Sequence, residues 1–251
     1  MEEADDQRSI TIGTWNIHGG RDIHNRYNFD AIIATTRQLS PTIIGLQEVD
    51  SRFRPRSNFD NQPTILGEHL DHEVHFGGNI VDETPAQPRA YGNATLSTLP
   101  ITNSDHTVYP DPGEGCEDAE PRGVLHTTVS IDGLDLTIFN THLSLANEYR
   151  QQQIEYLLEL TKDYRQPIVV LGDFNATPDE RSIQRLTTEF TPVQARAPHG
   201  SPMTYPAHDP SQQIDYVFVS DDIEVKDALV HATTASDHRP IRATITLPTN
   251  R

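Results

Sequence analysis

A single cysteine, Cys116, stands in a chain of 251 residues. That excludes an internal disulfide and any multi-cysteine zinc site. Lysine is nearly missing: Lys162 and Lys226 are the only two, and almost every other cation is arginine. No apolar run approaches the roughly 20 residues a membrane-spanning helix needs. Residues 1–9 are acidic and carry neither a basic n-region nor an apolar h-region, so they do not read as a secretory signal. A cytoplasmic location is the resulting expectation. The chain has no repeat, no low-complexity segment and no evident linker.

What the chain has in excess is acid. The net charge is −18, and the acidic residues are spread along the whole length. One reading is an acidic surface that docks a partner. The other is a surface adapted to high salt, where repulsion is screened within about 3 Å at 1 M. Dispersal favours the second, because a docking patch would be local. The composition is similar to that of halophilic archaeal proteins. On this reading the charge says little about substrate.

Apolar runs at 9–15, 42–47, 124–131, 134–140, 167–172, 214–219 and 241–247 predict strands. Asp132-Gly133 predicts a hairpin between two of them. Phe29, Ile32, Ile33, Thr36 and Leu39 fall at helical spacing, as do Ile154, Leu157, Leu158 and Thr161. Both periods run through the chain, so one α/β domain over residues 9–249 is expected, after an acidic tail over 1–8. Residues 51–63 and 109–121 read as loops, which in a compact domain tend to be functional rims.

Polar residues recur beside these strand-like runs. Asn16 follows the first and Glu48 the second. His142 follows 134–140, and Asp173 and Asn175 follow 167–172. Asp215 opens the run 216–219, and Asp237 and His238 precede the last one. Ligand clefts form at strand ends of α/β cores. Taken singly, each residue is better explained as a cap or turn. Asp173 and Asn175 could simply shape a turn and cap a helix near 179–185. Together they supply oxygen ligands and histidines without a second cysteine, which suits a hard cation with acid/base chemistry.

Six blocks carry a resemblance: Thr14-Trp15-Asn16-Ile17, Gly45-Leu46-Gln47-Glu48-Val49, Asn140-Thr141-His142-Leu143, Gly172-Asp173-Phe174-Asn175-Ala176-Thr177-Pro178, Ile214-Asp215-Tyr216 and Ser236-Asp237-His238-Arg239-Pro240. In this order they resemble the signatures of the endonuclease/exonuclease/phosphatase superfamily. Tyr91-Gly92-Asn93-Ala94 and Glu120-Pro121-Arg122-Gly123 resemble its secondary blocks. The resemblance implies a four-layer α/β sandwich of two packed mixed β-sheets flanked by helices. It implies Mg²⁺ (or Mn²⁺) at Glu48, helped by Asn16, with Asp237 a further metal-side candidate. Asp173 would position or deprotonate the attacking water, and Asn175 would orient the phosphoryl group. His238, oriented by Asp215, and His142 would contact phosphate or leaving oxygens. Arg122 and Asn93 are substrate-binding candidates, although Arg122 could equally pair with Glu120. Tyr91 is one position out of register with the tyrosine of the DNA-repair branch and receives no role. His18 could line the cleft.

His142 in Asn-Thr-His-Leu resembles the deoxyribonuclease, sphingomyelinase and small-phosphodiesterase branches. The 204–207 segment resembles the small, uncharacterised members of the superfamily. No basic stripe with aromatics is evident. The expected substrate is therefore a phosphodiester or phosphomonoester of a small molecule or lipid head group. A nuclease acting on DNA or RNA is the alternative, and a non-catalytic binding module a more distant one. A monomer is the default expectation.

Overall fold

The computed structural model describes residues 8–84, 86–111, 120–165, 167–196 and 198–248. Cys116, residues 1–7 of the acidic tail and residues 112–119 of the second loop lie outside the described residues.

Two mixed sheets face each other. The first has seven strands in the order β10-β12-β13-β1-β2-β4-β3. Its members are β1 (Ser9–Asn16), β2 (Ile43–Ser51), β3 (Glu73–Asp82), β4 (Arg89–Ser97), β10 (Pro198–His199), β12 (Glu224–Val230) and β13 (Ile241–Thr246). The second has six in the order β5-β6-β7-β8-β11-β9. These are β5 (Ile101–Val108), β6 (Gly123–Ile131), β7 (Leu134–His142), β8 (Ile168–Asp173), β9 (Thr191–Pro192) and β11 (Asp215–Val219). Helices α1 (Phe29–Leu39) and α2 (Gln62–Leu70) cover the first sheet, and α3 (Asn147–Thr161) and α4 (Arg181–Leu186) the second. The architecture is the four-layer sandwich.

Alternation along the strands builds three apolar layers. In β8, Val169 and Leu171 point between the sheets, where Ile12, Ile43 and Ile245 meet them. Ile168 and Val170 point outward onto Leu157 and Leu158 of α3. Ile44 and Leu46 of β2 likewise point outward, toward Ile32 and Ile33 of α1. The period-two pattern thus serves both faces, which is why β8 reads as a continuous apolar run. Gly45 marks a close approach of the sheets. A Cβ there would stand 2.1 Å from Leu171 Cδ1 and 2.9 Å from Asn140 Cγ.

The Asp132-Gly133 hairpin forms as expected. Both residues have positive φ, 50° and 79°, the requirement of a tight turn matched to strand twist. Helix α1 begins where Asn28 accepts a hydrogen bond from the Ala31 N–H, and ends at Ser40 in the left-handed region. The 51–63 segment needs correction as a loop. Ser51 still belongs to β2, and Gln62 and Pro63 already open α2, with a short 3₁₀ turn at Pro55–Ser57 between them.

Candidate active site

Strand register brings the predicted residues together. β7 and β8 run parallel with His142 opposite Asp173, and β8 and β11 run antiparallel with Asp173 opposite Asp215. Three functional side chains therefore form one row across the second sheet. On the first sheet, parallel β1 and β2 place Asn16 opposite Gln47, directly beside Glu48. Asp237 and His238 arrive on the loop before β13.

Glu48 does not follow a strand end, contrary to the sequence reading. It sits inside β2 at a bulge, where the pairing with β4 jumps from Leu46↔Ala94 to Val49↔Gly92. Its φ is 58°, a left-handed conformation that a non-glycine residue adopts at a cost of about 1–2 kcal/mol. The bulge turns the Glu48 carboxylate toward the cleft while Gln47 stays fully buried.

Asp173 is the hub. The Asn16 amide donates to its Oδ2 at 2.9 Å and to Glu48 Oε1 at 3.1 Å, bridging the two carboxylates. The Asn16 oxygen meanwhile accepts from the His18 N–H at 3.0 Å. The Asn175 N–H donates to Asp173 Oδ1 at 2.9 Å. His142 Nε2 lies 3.5 Å and His238 Nε2 3.7 Å from Asp173 Oδ2. Behind His238, its Nδ1 donates to Asp215 Oδ2 at 2.9 Å. Trp15 Nε1 donates to the His238 carbonyl at 2.9 Å, and Ser236 Oγ donates to the Asn16 carbonyl at 2.7 Å. Tyr205 packs against the His238 ring with centroids 4.8 Å apart.

The electrostatics separate the two histidines. Burial, then Arg122, then His238 hold His142 well below its ordinary pKa, so it is a neutral imidazole. Arg122 Nη1 lies 2.9 and 3.1 Å from its two ring nitrogens, and Asn175 Nδ2 donates toward Nε2 at 3.1 Å. For His238 burial acts downward, yet Asp215 and then Asp173 override it and raise the pKa, favouring the imidazolium. Burial and then the Asp215 charge push the Asp173 carboxyl upward. A carboxylate so placed binds a proton more readily than an exposed one.

Asp173, Asp215 and His238 each offer a ligand atom, all within 4.8 Å of one another, and form a group able to hold a metal ion. This is a different set from Asn16, Glu48 and Asp237. The Asp215–His238 hydrogen bond already occupies one ring nitrogen and one carboxylate oxygen of the tight cluster. Glu48 and Asp237 are instead half-buried at the cleft mouth, with Asp237 Oδ1 3.5 Å from His18 Nδ1. Oxygen donors with free positions suit a hard cation better than an internally paired histidine.

The remaining candidates separate. Arg122 pairs with Glu120 at 2.9 Å and also faces His142, so it belongs to the site. Asn93 is fully buried, and its amide donates to the Gly123 and Asn140 carbonyls at 3.1 and 3.3 Å. It is a strut between the sheets beneath the cleft. Tyr205 and Trp15 were not singled out from sequence. Trp15 sits in the first block and Tyr205 in the 204–207 segment, and only the fold shows that both touch His238.

Comparison with known proteins bears on the fold and the family. A UPF0294 protein of Vibrio vulnificus is 31% identical over 123 residues, 48% of this chain and 43% of the relative. The match thus spans less than half the length of that relative. An endonuclease/exonuclease/phosphatase from Beutenbergia cavernae superposes with a TM-score of 0.78 at 22% identity, over 96% of this chain and 72% of that one. The mannosyl-6-phosphatase of Bacteroides thetaiotaomicron superposes with a TM-score of 0.77 at 17% identity, over 95% of this chain and 100% of that one. These structural likenesses concern the fold. The family model described as "Endonuclease/Exonuclease/phosphatase family" matches residues 13–238, from within β1 through His238, and the chain belongs to that family.

Proposed function

We propose that the chain is a divalent-metal-dependent phosphoesterase that hydrolyses a small-molecule or lipid-head-group phosphodiester or phosphomonoester by attack of an activated water. The observation that carries this reading is the convergence of Asn16, Asn175, His142 and His238 on the Asp173 carboxylate. Asp173, with its raised proton affinity, takes the proton of the attacking water. His238, held as imidazolium by Asp215, faces the phosphoryl oxygens and supplies positive charge or a proton there. Neutral His142 hydrogen-bonds rather than carries charge, and with Asn175 and Arg122 it orients the phosphoryl group. Phosphoryl transfer needs chiefly such positioning and charge neutralisation.

The donor set fits Mg²⁺ or Mn²⁺ at Glu48 and Asp237, with Asn16 tying Glu48 to Asp173. Bound there, the ion supplies neutralisation of phosphoryl charge. The family resemblance and the mannosyl-6-phosphatase fold support a phosphate ester of modest size.

The test is turnover of bis-p-nitrophenyl phosphate, p-nitrophenyl phosphate, sugar phosphates and plasmid DNA, with Mg²⁺ or Mn²⁺ and then with EDTA. EDTA is expected to abolish activity and metal to restore it. Glu48→Gln should cost at least about 10²-fold in rate, or about 2.7 kcal/mol of barrier. Full activity in EDTA, or in Glu48→Gln, rejects the metal assignment. DNA turnover far above the small esters rejects the substrate class.

A further inference from the structure

Beside the reacting centre lies a concentration of positive charge that the proposed chemistry does not use. The chain has 19 lysines and arginines in 251 residues, yet Arg52, Arg54 and Arg56 fall within five positions. They occupy the turn between β2 and α2. The turn is anchored from below: Arg56 forks onto the fully buried Asp50 with bonds of 3.1 and 2.9 Å, and Ser57 Oγ donates to Asp50 at 2.7 Å. Arg52, Asn58 and Phe59 have φ of 54°, 55° and 58°, so three non-glycine residues in this turn are held in the left-handed region. Such conformations persist where the surroundings over-determine them, often at ligand sites.

The turn connects to the site through stacked rings. Tyr91 is buried and lies within electrostatic reach of Glu48, Glu120, Arg122 and Arg56. Phe53 stacks on Tyr91 with centroids 5.5 Å apart and planes 24° apart. The Arg54 guanidinium lies over Phe53 at 4.8 Å. Arg54 is exposed, two stacking steps from Tyr91, which neighbours Glu48 and Arg122 of the site. Among the described residues neither Arg52 nor Arg54 has a carboxylate partner, whereas their neighbour Arg56 does. In a chain with this surplus of acid, the exposed Arg54 and the half-buried Arg52 offer an anion two guanidinium groups kept free of carboxylates on a rigid turn. A planar fork is matched to phosphate geometry.

We propose that Arg52 and Arg54 form a second phosphate subsite, so that the preferred substrate is a small molecule carrying a second phosphate besides the scissile one. This rests on the phosphoesterase reading for the identity of the first phosphate. The subsite acts in binding, because its groups lie apart from the reacting atoms.

The test uses non-hydrolysable α,ω-alkane bisphosphonates of graded length, titrated calorimetrically into the full chain with excess Mg²⁺, with alkyl monophosphonates as controls. At one length at least, the bisphosphonate is expected to bind tenfold or more tighter than the monophosphonate. Arg52→Gln/Arg54→Gln should bring the two within about twofold while leaving monophosphonate binding and the melting temperature unchanged. No gain at any length overturns the proposal, as does a gain that survives in the double variant. Short oligothymidylates form a separate arm. An arginine-dependent gain there and none with bisphosphonates assigns the turn to a strand and overturns the small-molecule proposal. Because binding is read without turnover, an arginine-dependent gain in a protein that hydrolyses no ester would reject the phosphoesterase reading and leave the anion subsite standing.

Discussion

Asn140→Ala tests whether the site rests on a polar network between the sheets. Asn140 is fully buried where Gly45 lets the sheets approach closely. Its oxygen accepts from Gln47 Nε2 at 2.8 Å, and its amide donates to the Ala94 and Leu46 carbonyls at 2.8 and 3.3 Å. Gln47 Nε2 also donates to Thr14 Oγ1 at 3.0 Å, so Gln47 keeps one partner in the variant. Three buried bonds are lost at about 1 kcal/mol each, and the vacated volume adds to that. The expected loss is about 3–4 kcal/mol. For a domain of this size that lowers the melting temperature by about 6–16 °C, at roughly 2–4 °C per kcal/mol. The assay is thermal and urea unfolding of the wild type, Asn140→Ala, Gln47→Ala and the double variant. The pair should be non-additive by about 0.5–3 kcal/mol. A shift under about 2 °C, or strict additivity, would refute the claim that this pair ties the sheets together beneath the site.

Three further outcomes follow from the geometry. Asp215→Asn removes the charge behind His238, so the pKa of His238, followed by NMR, should fall and kcat should drop by about 10²-fold or more while metal affinity is retained. An unchanged His238 titration would reject the pairing. Burial keeps His142 neutral in the folded chain, whereas the unfolded chain protonates it near its ordinary pKa of 6.5; its contribution to stability is therefore complete above that value and lost as pH falls below it. His142→Gln should flatten the decline of melting temperature between about pH 7 and pH 5, and an equally steep decline would show that His142 is not its source. Glu48→Gly relieves a left-handed backbone worth about 1–2 kcal/mol and adds glycine entropy of about 0.5–1 kcal/mol to the unfolded chain. It should leave the melting temperature unchanged or raised while activity is lost, and a fall of more than about 5 °C would place the strain elsewhere.

The parts of the fold legible in the sequence are those buried on both faces. β1, β2, β6, β7, β8, β11 and β13 have continuous apolar runs because each is flanked by neighbours and covered by helices or the facing sheet. β3 and β5 were missed because they are sheet edges: Glu73, Asn103 and Asp105 face solvent, and no apolar run forms. β4 was missed for a different reason. Its buried positions include Asn93 and Thr95, polar residues that serve the space between the sheets and imitate a loop. α2 was missed because it starts at the end of the segment read as loop, its start carries Pro63 and its hydrophobic content is sparse.

The site was legible for a related reason. His142, Asp173 and Asp215 stand at the ends of strands whose hydrogen-bond register fixes them in one row, so strand ends read along the chain translate directly into neighbours in space. Glu48 could not be placed that way. Its position depends on the bulge, and a bulge is a mismatch between two strands, one of which, β4, carried no readable signal. A regular β2 would alternate through Gln47 and Glu48 and send one of them to the helix face and the other between the sheets. The extra residue instead lets Gln47 stay in the buried network with Asn140 while Glu48 reaches Asn16 at the cleft. The same residue pair thus joins the packing of the sheets to the placement of the carboxylate. That is why a change at Asn140, remote from any phosphate, is expected to be felt in the site as well as in stability.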